Sequence, residues 1–103
     1  MPGMSLDEFK RSLALAEPSE RLGPALCALW WDAKGDWERA HRCVAERDDA
    51  ESAWAHAYLH RSEGDSANAG YWYRRALRQP VSGPVAEEWA AMVSALLEAS
   101  ADR

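Results

Sequence analysis

The sequence predicts an all-α domain of about six short antiparallel helices, and three observations predict it. Ala, Leu, Glu and Arg dominate, whereas β-branched residues are nearly absent apart from four valines, a balance that favours helix over strand. Breakers recur at intervals of about a dozen positions: Pro18, Gly23-Pro24, Gly35, Asp48-Asp49, Gly64 and Pro80 through Pro84. Between them, apolar residues return at helical spacing.

Each interval has its own start and stop signals. Ser5 and Glu8 have the spacing of a capping box, which opens a first helix from Leu6 to about Ala16 with Leu6, Phe9, Leu13 and Ala16 as its apolar stripe. Pro24 suits a first helical position, so the second helix runs from there to about Lys34. Gly35 can take the left-handed conformation that ends a helix, and Asp36 can cap a third over about 37–46. Asp48 and Glu51 resemble another capping box, starting a fourth helix that reaches about Glu63. Gly64-Asp65 repeats the stop-and-cap device before a fifth helix to about Gln79. Beyond the QPVSGP linker, Trp89, Met92, Val93, Leu96 and Leu97 line one face of a sixth helix over about 85–99. The elements make a single domain, 1–103, with two hairpins at about 24–47 and 50–79 between flanking helices.

Global properties narrow the function classes. A chain of 103 residues, 48% apolar and with six Trp, can bury one core without metal or disulfide. A net charge of −5 weighs against a non-specific grip on nucleic acid. No apolar run is long enough to span a membrane, and MPGMSLDEFKRSLALAEP lacks the pattern of a secretory leader. Cys27 and Cys43 are too few for a disulfide framework, so reduced thiols in the cytoplasm of a bacterium-like host are expected. No GxSxG, Walker-type loop, CxxC or telling Cys-His spacing is found, so neither an enzymatic activity nor a cofactor is expected.

An internal repeat lies within this pattern. ALWWDAKGDWERAHRCV aligns without gaps to AYLHRSEGDSANAGYWY, with Gly35 and Gly64 in register and 29 positions apart. Asp36 matches Asp65 and Ala40 matches Ala69, small residues where two helices approach closely after a tight turn. Gly64-Asp65, Ala69, Tyr73, Ala76 and Pro80 resemble the second half of a tetratricopeptide-type repeat, and Gly35-Asp36-Trp37 with Ala40 matches the same frame more sparsely. The resemblance covers about Pro24 to Pro80 and implies stacked helical hairpins that bind a peptide or acidic segment in a groove. It departs from that family in its shorter period, against about 34 residues, and in His56 and His60, which replace the usual Leu and Tyr. With two units where a solenoid usually has three, the first and sixth helices would act as caps. HAYLHR-EGD--NA-YWYRRA is also similar to a group of small bacterial proteins of unknown function, a likeness that implies a fold and no activity.

Three sets of residues are candidates for function. Trp54, Tyr58 and Arg61 share one face of the fourth helix at i, i+4 and i+7; the resemblance turns that face into a groove, and aromatics with Arg are typical of binding hot spots. Against this stands plain burial of both aromatics. Tyr71, Arg74, Arg75 and Arg78 lie around the outer side of the fifth helix, where guanidinium groups can grip a carboxylate or phosphate or simply pair with the chain's own acids. Trp72 and Tyr73 are expected to pack inward. His56 and His60, at i and i+4, have the spacing of two metal ligands, with Glu63 as a third; HAYLH lacks the Glu of HExxH, which removes a zincin. The commoner use of such a pair is as hydrogen-bonded core residues. Trp30 and Trp31 are adjacent and cannot both face one core, so one is expected to be partly exposed and available to a homodimer contact.

The leading expectation is a small protein-protein interaction module that binds a protein or peptide, with no nucleic acid and no membrane partner. The alternative is a metal- or small-ligand-binding protein centred on His56, His60 and Glu63, and a structural homo-oligomer subunit is a third reading.

Overall fold

The computed structural model describes residues 4–101, so Met1–Gly3, the start of the segment read for a leader, lie outside the described residues. Those residues form six α-helices and no strands: α1 (Leu6–Ser12), α2 (Pro24–Ala33), α3 (Trp37–Val44), α4 (Ala50–Ser62), α5 (Ser66–Arg75) and α6 (Val85–Ala101). The all-α fold is therefore as the sequence predicts, and the differences lie at helix ends.

Most caps are the expected ones. The amide of Glu8 donates to Ser5 Oγ at 3.1 Å, while the amide of Ser5 donates to Glu8 Oε1 at 3.0 Å. Gly35 (φ +82°) and Gly64 (φ +90°) turn the chain, and Asp36 and Asp65 then accept the amides of Arg39 and Asn68. These two turns create two helical hairpins, α2–α3 and α4–α5, each closed over a buried alanine, Ala40 or Ala69.

Five ends depart from the sequence reading, α3 among them, which stops at Val44 instead of about Glu46. α1 stops at Ser12 instead of Ala16, because neighbours compete for its last turn: Trp30 Nε1 donates to Ser12 Oγ, and the Lys34 ammonium bonds the carbonyls of Leu13 and Leu15. The cap of α4 is Asp49, not Asp48; its carboxylate accepts the amide of Ser52 and pairs with Arg47 at 3.2 Å. α5 ends at Arg75 instead of Gln79, because Leu77 takes φ +60° and reverses the chain. α6 runs two residues past the expected end.

The core lies between α2, α4 and α6, with Phe9 of α1 sealing one side against Trp89. Trp89 is itself fixed by donation from its Nε1 to the carbonyl of Leu29. Trp30 is fully buried and Trp31 half-buried, as adjacency requires. α4 is the most enclosed helix: from Ser52 to His60 every residue but Trp54 is buried. At its C-terminal end Arg61 reaches α6, where it pairs with Glu88 at 2.8 Å and also bonds the carbonyl of Gly83. Tyr73 of α5 donates its hydroxyl to the other Glu88 oxygen at 2.5 Å, so one buried carboxylate ties three helices.

Two stability outcomes follow from these ties. Glu88→Ala leaves a half-buried guanidinium with only the Gly83 carbonyl and a buried phenol with no acceptor, and should lower the unfolding free energy by about 3 kcal/mol in urea titration. Leu77→Gly should raise it by about 0.5–1 kcal/mol, because the left-handed backbone is relieved while a side chain 89% exposed gives up no packing.

Candidate metal centre

The chain has three histidines, and all three meet. α4 carries His56 and His60 one turn apart, so their rings lie on the same face and stack with centroids 4.9 Å apart. α3 crosses that face and contributes His41, whose Nε2 faces His56 Nε2 at 3.0 Å. Each ring offers a nitrogen such that the three lie within 4.8 Å of one another. Tetrahedral zinc with bonds of about 2.0–2.1 Å spaces its ligand nitrogens about 3.3 Å apart, so small ring movements would bring the three into coordination.

Aromatic rings close the cluster on two sides. Trp37, one turn before His41 on α3, stacks on it at 4.8 Å and is anchored by donation from its Nε1 to the carbonyl of Leu59. Trp72 of α5 stacks on His56 at 4.0 Å. The imidazoles therefore sit between two indoles, and His56 and His60 are only 3% and 8% exposed.

The hydrogen bonds around the rings are unequal. His60 Nδ1 bonds Glu63 Oε2 at 2.8 Å, a carboxylate placed as the outer partner that orients a metal-binding imidazole. His56 Nδ1 is buried and has no partner, which costs on the order of 1–3 kcal/mol. With no bond at Nδ1, nothing on that side of the ring fixes the His56 tautomer. Asp65, at the start of α5, lies with Glu63 and His60 in a second group whose ligand atoms are within 4.8 Å of one another. Its carboxylate is already bonded to the amide and side chain of Asn68.

Burial and like charge both disfavour protonating His56 and His41. His56 is pushed down to about 4, chiefly by desolvation and then by His41 and His60. His41 is lowered too, by desolvation first and His60 second, against a smaller upward pull from Glu63 and Glu38. His56 thus stays neutral and keeps a lone pair available well below neutral pH, and the shift of His41 favours its neutral form in the same direction.

The other sequence candidates are distributed differently. Trp54, Tyr58 and Arg61 do not form an open face: Tyr58 is 3% exposed in the core, Arg61 is tied to Glu88, and Trp54 lies under the Arg78 guanidinium at 3.7 Å. Tyr73 is buried as expected, whereas Trp72 is only half-buried, on the histidines. Tyr71, Arg74 and Arg75 are exposed on α5, with Arg75 over the rings of Tyr71 and Trp72. His56, His60 and Glu63 do come together. His41 went unread because it lies in the other hairpin. The available signal was that it follows Trp37 by one helical turn, within the first unit's own Gly-Asp frame.

The depressed histidines set a pH dependence. A His56 that titrates near 4 when folded and near 6.5 when unfolded leaves the unfolded chain holding more protons between those values. Stability is therefore complete above about pH 7 and falls as pH drops from 6.5 toward 4, by at most about 1.4 kcal/mol per pH unit from this residue. His41 acts in the same direction. Urea midpoints between pH 4.5 and 7.5 should show this slope, and His56→Phe should flatten it.

No family model, curated protein or solved structure matches the chain, so the tetratricopeptide likeness rests on the residue pattern alone.

Proposed function

We propose that this protein binds a divalent transition-metal ion at His41, His56 and His60. The observation that carries this reading is the convergence of every histidine in the chain on one buried point, with His56 Nδ1 left unbonded there. Neutral imidazoles suit zinc, copper and nickel, whereas a hard ion such as magnesium or calcium prefers oxygen donors. Three histidines leave one position of a tetrahedral ion open, and Glu63 orients His60 from outside the ligand set.

A second reading, a helical interaction module, is favoured by Tyr71, 45% exposed, beside the exposed Arg74 and Arg75 on α5. It uses the outer face of that helix and not the face of Trp54, Tyr58 and Arg61. A partner captured by the parent and lost in a Tyr71→Ala, Arg75→Ala variant would support it.

The metal reading is tested with tag-free protein titrated with Zn²⁺, Co²⁺ and Cu²⁺ by calorimetry. One ion per chain is expected, with Co²⁺ giving the intense visible bands of a four-coordinate site. Glu63→Gln should weaken binding by about 10–100-fold, and His41→Ala or His56→Ala should weaken it further. Cu²⁺ should quench tryptophan emission in the parent, since Trp37 and Trp72 stack on two of the ligands. The reading is lost if the parent shows no saturable one-to-one binding of any of the three ions.

A further inference from the structure

A second candidate site lies on the opposite face of α4. α1, α2, α4 and α6 leave a cavity of about 420 Å³ whose walls include Leu13, Ala33, Tyr58, Ala86 and Trp89. That volume is within the range of small-molecule sites, about 300–1,000 Å³. The walls are preset: Trp89 is held by the carbonyl of Leu29 and backed by Phe9, and Tyr58 is fixed in the core. The mouth is open because positions 33 and 86 carry alanine, both of them exposed.

One acidic group faces this apolar space. Asp32 of α2 lines the cavity, and no lysine, arginine or histidine among the described residues makes an ion pair with it. Lys34, two residues on, uses its ammonium on the carbonyls of Leu13 and Leu15, and Lys10 stands exposed at the rim. Burial raises the Asp32 carboxyl, with the Tyr58 hydroxyl opposing the rise. A half-buried carboxylate without a counter-charge, set in an apolar wall, is stabilised by a ligand that brings its own cation.

We propose that this cavity is a binding site for a small organic cation, with an apolar or aromatic body against Trp89 and Leu13 and an ammonium paired with Asp32. The apolar walls supply affinity and the single carboxylate supplies selectivity for a protonated amine over a neutral molecule of the same shape. The proposal does not depend on the metal reading, since none of the three histidines, His41 on α3 and His56 and His60 on α4, lines this cavity.

The test compares two probes of matched shape, 1-naphthylmethylamine and 1-naphthylmethanol, followed by the NMR signal of the Trp89 indole N–H and by calorimetry. The amine should shift that signal saturably and bind at least tenfold more tightly than the alcohol. Asp32→Asn should bring the two probes to equal affinity, and Ala86→Trp should abolish both. If either variant unfolds, the comparison of the two probes on the parent decides alone. No saturable shift with the amine, or equal binding of amine and alcohol by the parent, would overturn the proposal.

Discussion

Helix α4 is enclosed by α2, α3, α5 and α6, and nearly all of Ser52 to His60 is withdrawn from water. A helix so placed turns few side chains to solvent, so its buried polar groups look for complements within the fold, and the hydroxyl of Ser52 is one that finds none. Arg61 finds Glu88, and through it Tyr73. His60 finds Glu63. His56 finds His41 on one side and the face of Trp72 on the other, and keeps one nitrogen unbonded. The architecture of the other helices can be read as the set of partners that this central element requires.

The two ends of these solutions differ in kind. Around Glu88 the accounting closes: a guanidinium, a phenol and a carboxylate satisfy one another, and such a network holds helices in place. Around His56 it does not close. His56 Nε2 meets His41, but its Nδ1 is buried with no partner, so one ring nitrogen of the cluster is left over. The first network is complete within the fold, whereas the second leaves a polar atom without a partner.

Much of the fold was legible because it is local. Gly35 with Asp36 and Gly64 with Asp65 state a turn and a cap within two residues, and the stripe from Trp89 to Leu97 states a helix face within nine. What the chain concealed was set by partners distant in sequence. Nothing near Ser12 announces that Trp30 and Lys34 will capture its last turn. Nothing near Arg61 announces Glu88, so an arginine on an aromatic face suggested a groove when it is an internal strut. The site was half legible for the same reason. His56 and His60 declare themselves by spacing on one helix, while His41 is brought to them only by the packing of one hairpin on the other.

That division of the histidines has a further meaning. His41 belongs to the α2–α3 hairpin and the remaining two to α4–α5, so neither hairpin owns the cluster; it exists only at their joint. An ion held there would act as a rivet between them, adding its binding free energy to their mutual contact. Filling the site and holding the two halves together would then be one equilibrium observed from two sides.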